Sequence, residues 1–182
     1  MNTLNRFMLS ALVLYALFHA NATAQNTSFC DELLPISLLQ EICGAAATDV
    51  NVKITATANE DLSHCNRLYG KGTPNLFKNN LQLLVSPLNG GKSARDVIQD
   101  YAKSAEWYAS FEYLAQLGDY GVRYLEPDQG SGSTCGVVAF VKDNMLIELK
   151  DTNWGDRDLN PFIFNVEQLQ IIAEKIAERM EQ

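Results

Sequence analysis

The chain has 182 residues, 47% apolar and 20% charged, with 14 basic against 22 acidic side chains and a formal net charge of −8. Such an acidic balance argues against nucleic acid and anionic lipid as partners, because phosphates are held by Lys and Arg. Its length fits one ordinary domain with a self-sufficient core behind a short leader.

The leader comes first. Arg6 is the one charged side chain in the first 29 residues, and it precedes the apolar run Phe7 to Phe18. That run falls short of the roughly 20 residues a membrane-spanning helix requires. The small-residue triplet Ala22-Thr23-Ala24 follows, which fits the A-x-A site of a cleavable secretory signal. The reading is therefore a signal peptide over 1–24 and a single domain over 25–182, periplasmic or secreted. Phe29 directly before Cys30 does not suit lipid attachment, and no later segment approaches bilayer length, so a soluble chain with no stable membrane anchor is expected. Without Arg6, 13 basic face 22 acidic residues. Solubility alone explains that excess, and a basic protein partner would also suit it.

The mature chain is expected to begin at Gln25, and all four cysteines (Cys30, Cys43, Cys65 and Cys135) lie beyond the leader. An even number in an exported chain points to two disulfides, with three connectivities open. Were Cys30 to Cys43 one continuous helix, the two would stand about 20 Å apart at the helical rise, far outside bridging range, although Pro35 can break such a helix. The favoured pairing is Cys30 with Cys65 and Cys43 with Cys135. No C-x-x-C occurs and His64 is the single mature histidine, which leaves a zinc site without its usual ligands.

From Pro35, the apolar positions Ile36, Leu38, Leu39 and Ile42 predict a short helix ending at Gly44. Val52, Ile54, Ala56 and Ala58 alternate with Lys53, Thr55 and Thr57 in the manner of a half-buried strand. Cys65 to Tyr69 and Leu81 to Val85 read as two further strands, with Gly70, Gly72, Pro74 and Asn75 marking the turn between them. Asn89-Gly90-Gly91 then opens a helix capped by Ser93 and Asp96, with Val97, Ile98, Tyr101, Ala105 and Tyr108 on one side. Tyr120, Val122 and Tyr124 alternate as a strand that ends in Pro127 and the Gly/Ser-rich loop 128–133. Gly136 to Val141 and Met145 to Leu149 form a hairpin about Lys142-Asp143-Asn144. The last helix starts after Asn165, answered by Gln168, and aligns Val166, Leu169, Ile172, Ala173, Ile176 and Met180. The predicted class is α+β: an antiparallel β-sheet with an N-terminal short helix, a middle helix and a C-terminal helix packed on it.

No catalytic constellation, cofactor loop or metal cluster is expected. Gly91-Lys92-Ser93 ends like a P-loop, but Ser86 stands where the first glycine belongs, which leaves a turn and helix cap. Asp151, Asn153, Asp156 and Asp158 crowd one segment beside Trp154. Read as an EF-hand loop from Asp151, it has Asp156 where Gly is required and Phe162 where a bidentate Glu is required, so a solvated acidic loop is the simpler reading. Neighbouring strand residues point to opposite faces, which separates His64 from Cys65 as a base–thiol pair. Trp107, Tyr108, Phe111 and Tyr113 concentrate aromatics after the middle helix. Their outward members, with Trp154, Asp156 and Asp158, are the candidate contact surface for a ligand or protein partner.

The segments Cys30-Asp31-Glu32-Leu33-Leu34, Ile42-Cys43-Gly44, Cys65-Asn66-Arg67-Leu68-Tyr69 and Leu117-Gly118-Asp119-Tyr120-Gly121 come in an order that resembles small exported bacterial proteins of the DUF3558 and LpqN-like type. That resemblance implies a Mog1/PsbP-like α+β fold and an accessory or binding role in the cell envelope, and it supplies no catalytic residues. This chain departs from the type in lacking a lipid-attachment cysteine and in carrying an extra cysteine pair. Two functions of different class follow as expectations: a non-enzymatic binding domain of the bacterial envelope, and an immunity-type or lysozyme-type inhibitor that meets a basic enzyme with acidic loops such as 151–158.

Overall fold

A computed structural model of the chain describes residues 29–44, 50–54, 65–71, 78–88, 90–127, 134–152 and 164–181. The leader, Ala56, Ala58, the glycine–serine loop and the segment 153–163 lie outside these. After a helical turn over 29–33, Pro35 enters helix α1 (Ile36–Cys43) in extended backbone, one position earlier than a first-turn proline. Gly44, at φ 58°, closes the helix by donating its N–H to the Gln40 carbonyl, a conformation that costs glycine little.

Seven strands follow among the described residues: β1 (Val50–Ile54), β2 (Cys65–Lys71), β3 (Lys78–Pro87), β4 (Ala109–Leu114), β5 (Tyr120–Pro127), β6 (Thr134–Lys142) and β7 (Met145–Thr152). Helix α2 (Ala94–Ala102) separates β3 from β4, and α3 (Val166–Met180) ends the fold. The caps form as the local sequence dictates. Ser93 accepts from the Asp96 N–H at 3.2 Å, and Asn165 and Gln168 complete a reciprocal capping box. The β6–β7 hairpin turns at Asp143 and Asn144, both at positive φ (49° and 60°), as a tight two-residue turn requires.

All strands join one antiparallel sheet in the order β1-β2-β3-β7-β6-β5-β4. Two consecutive meanders, β1-β2-β3 and β4-β5-β6-β7, are therefore sewn together by the pairing of β3 with β7. The predicted α+β class and its three packed helices stand, but α2 ends at Ala102 and leaves Ala105 and Tyr108, expected on its apolar side, in the turn that follows; β4 is an addition to the strands expected from sequence.

Strand alternation divides the core in two. On the first face Tyr69, Leu81, Leu83, Val85, Val138, Phe140, Ile147 and Leu149 meet α1 and the apolar side of α3. On the second, Val122, Tyr124, Val137, Ala139 and Val141 meet Ile98 and Ala102 of α2. A disulfide joins Cys30 to Cys65 with Cα atoms 6.4 Å apart, fastening the N-terminal turn to β2. The same junction holds two polar ties: the buried Tyr69 hydroxyl donates to the Leu34 carbonyl at 2.8 Å, and the buried Arg67 guanidinium meets Asp31 at 3.4 Å.

The expected second bridge does not form; Cys43 and Cys135 are both thiols. Alternation gives the reason. Cys135 falls in phase with Val137 and Ala139 on the second face, whereas its neighbour Gly136 lies against Leu169 of α3 on the first. Cys43 packs on the first-face core, so the sheet itself separates the two sulfurs. Burial raises the Cys43 thiol pKa, which keeps it protonated and unreactive.

The bridge spans 35 positions of sequence, for which loop-closure entropy gives about 4 kcal/mol and measured native bridges about 2–5 kcal/mol. Urea unfolding of the Cys30→Ala/Cys65→Ala protein is accordingly expected to show a loss of about 2–4 kcal/mol, and a smaller one for Cys43→Ala/Cys135→Ala, which only trims the half-buried Cys43 and the buried Cys135 side chains.

Candidate functional site

The two faces of the sheet are finished differently. Helix α2 lies over β5 and β6 on the second face, and beyond it Asn66, Leu68, Gln82, Leu84, Glu148 and Lys150 are only partly buried. Register places them in rows. Asn66 faces Leu84, which faces Glu148; Leu68 faces Gln82, which faces Lys150, and the row continues through Val137 to Tyr124. Gln82 donates to Asn66 at 3.0 Å, and Lys150 reaches across β6 to an ion pair with Glu126.

At the centre is a tyrosine–carboxylate relay. The Tyr101 hydroxyl, on α2, donates to the Glu148 carboxylate on β7, and Tyr101 and Tyr124 are hydrogen-bonded to each other. Burial is the main cause that raises both pKa values, reinforced by the negative charge of Glu148; that of Tyr124 is pushed up to about 12. The relay locks α2 to the middle of the sheet in one orientation.

Beside it runs an aromatic ridge. Trp107 packs on Tyr108 with ring centroids 5.2 Å apart, Tyr108 on Tyr124 at 5.9 Å, Tyr124 on Phe111 at 6.3 Å, Phe111 edge-on to Tyr113 at 5.0 Å, and Tyr113 on Tyr120 at 5.9 Å. The guanidinium of Arg95 closes the row, 5.5 Å from the centre of the Tyr120 ring. Trp107, at 79% exposed, is the most open large apolar side chain among the described residues, and Tyr108, Phe111, Tyr113 and Tyr120 are half-buried. Placement comes from the backbone. The turn after α2 presents Trp107 and Tyr108, while a bulge in β4 between Ala109 and Glu112 sets Ser110 at φ 58° and turns Phe111 onto the second face.

The four aromatics singled out from sequence are thus brought together, and the structure adds Tyr101, Tyr120, Tyr124 and Arg95, which sequence spacing does not connect. Trp154, Asp156, Asp158, Asn153 and His64 lie outside the described residues. Asp151 is 2% exposed and sits on β7 in phase with Leu149, so it belongs to the first-face core and not to a solvated loop. Gly91-Lys92-Ser93 acts as the expected turn and cap, with Lys92 held by Asp100 at 2.6 Å.

One cleft, of about 360 Å³, opens on the other face between the N-terminal turn and β1, walled by Asp31, Leu34, Pro35, Ile36 and Val52. Asp31, the polar residue among its described walls, is paired with Arg67. Among the described residues no three His, Cys, Asp or Glu side chains converge to hold a metal ion, and no helix is long and apolar enough to cross a membrane.

The fold and face together define an α+β domain whose exposed chemistry is aromatic and hydrogen-bonding. Compared with known proteins, the chain matches no family model, no curated protein and no solved structure.

A tyrosine whose pKa is raised in the folded state keeps its proton after the unfolded chain has released its own, so stability is whole below the ordinary value near 10 and falls as pH rises above it. Folding free energy should decline between about pH 10 and pH 12, the range set by Tyr124. Tyrosinate absorbance should show Tyr101 and Tyr124 among the last to ionise, and Tyr101→Phe should flatten the stability–pH curve in that range.

Proposed function

We propose that this protein is an exported, non-enzymatic binding domain of the bacterial cell envelope, which takes its ligand on the aromatic ridge of the second sheet face. The carrying observation is the run of six rings ending at the exposed Trp107. Trp, Tyr and Arg are the side chains that dominate binding energy when a partner covers them, because they offer large apolar area with few torsions to freeze. Rings that brace one another lose little further entropy on binding. The Cys30–Cys65 disulfide suits an oxidising compartment, in agreement with the leader read over 1–24. The resemblance to DUF3558 and LpqN-like proteins supports the same setting. Asp151 is buried on β7 and is no part of a solvated acidic loop.

The test uses immobilised mature protein and a periplasmic and envelope extract of a bacterium. Wild type should retain a component that Trp107→Ala retains at least about tenfold less, the loss expected for a truncated anchor residue, with both proteins unfolding at similar temperatures because Trp107 is exposed. Equal retention by the two forms, or none by either, overturns the reading.

A further inference from the structure

We infer that the ligand of this face is a proline-rich peptide segment in the extended polyproline conformation, with a basic residue flanking its prolines; this rests on the ridge being the binding face. Ring geometry is the first ground. A glycan chain stacks best on coplanar rings, but successive rings here are turned 40° (Trp107 to Tyr108), 52° (Tyr108 to Tyr124) and 87° (Phe111 to Tyr113) from one another. The less tilted pairs are Phe111 with Tyr124 at 22°, which has the buried Tyr124 as its floor, and Tyr113 with Tyr120 at 32°. With three of the five contacts tilted by 40° or more, the rings make an uneven ridge in place of a flat platform.

A polyproline helix suits an uneven ridge. It repeats every three residues, presents compact proline rings along its edges and makes no hydrogen bonds within itself, so its carbonyls seek outside donors. The Arg95 guanidinium stands at the end of the ridge as a donor of that kind. Because the helix is already extended and stiff, docking it orders few torsions.

Charge supplies the second ground. Glu106 is exposed on the ridge and accepts a hydrogen bond from Tyr113 at 3.0 Å, which fixes a carboxylate beside the rings. The mature chain is acidic as a whole, with 13 basic and 22 acidic residues, and steers cations toward that carboxylate. A basic residue next to the prolines meets Glu106 while the prolines meet the rings.

Isothermal calorimetry on the mature protein tests this with three probes: a synthetic peptide of Pro-Ala-Leu-Pro repeats ending in two arginines, the same peptide ending in two glutamines, and cellohexaose. The arginine peptide should bind, Trp107→Ala should weaken it at least about tenfold, and Glu106→Gln should erase its advantage over the glutamine peptide. As Trp107 and Glu106 are both exposed, the variants should keep the wild-type unfolding temperature. Peptide binding untouched by Trp107→Ala, or no peptide binding, overturns the inference. Binding of cellohexaose alone, weakened by Trp107→Ala, overturns the peptide while leaving the ridge as the binding face, and the extract comparison judges the ridge independently.

Discussion

The pairing of β3 with β7 is the constraint on which the other elements rest. Its register runs unbroken from Asn80 opposite Thr152 to Pro87 opposite Met145 and joins two meanders that are each local in sequence. Side chains alternate across a strand, so a slip of one residue would send Ile147 and Leu149 to the second face and drive Glu148 and Lys150 into the dry core under α1 and α3. That penalty is what makes the seam specific. It also explains the route of the chain: after β3 the backbone crosses by α2 to the far edge and returns strand by strand until β7 meets β3. The crossover leaves α2 on the second face and the first free for α1 and α3.

From this division follows the unequal character of the two faces. The first is closed by two helices, a disulfide, the Tyr69–Leu34 hydrogen bond and a buried arginine, and it stabilises the fold. On the second face one short helix lies over β5 and β6, fixed through Tyr101 to Glu148. Burial there is partial, and the polar rows and aromatic rings meet solvent. An aromatic pair contributes about 0.5–1.5 kcal/mol beyond its area, so the ridge braces itself while keeping surface to offer.

What could be read from sequence was what is decided within a few residues. The caps at Ser93 and Asn165, the stop at Gly44 and the Asp143-Asn144 turn depend on local φ values and side-chain reach, and each appears where its residues predict. The face on which a side chain lies depends on partners far along the chain. Cys43 with Cys135 looked reasonable as a remaining pair, and only the phase of β6 places a sheet between them. Tyr101 and Glu148 are 47 positions apart with no pattern linking them. β4 escaped because its run, Ala109 to Leu114, is broken by the bulge at Ser110, which destroys the period of two. The four aromatics were legible as a cluster; that Tyr120 and Tyr124 extend it required knowing that β5 lies beside β4.

The bulge also bears on how the ridge can be exposed at all. β4 is an edge strand, and an open, regular edge beside aromatic side chains invites the backbone of another chain to add itself to the sheet. Ser110 at positive φ interrupts that template at its second residue. Two residues on, Glu112 is held by Arg123 at 2.6 Å, and Arg123 in turn by Gln170 of α3 at 2.9 Å, so charge occupies the rim. The same distortion that turns Phe111 inward to the ring stack therefore denies the edge to strand addition. On the proposed function, recognition would run through side chains, in keeping with a ligand that brings no strand of its own: a polyproline segment does not pair as a β-strand and needs an uneven aromatic ridge, a donor and a carboxylate.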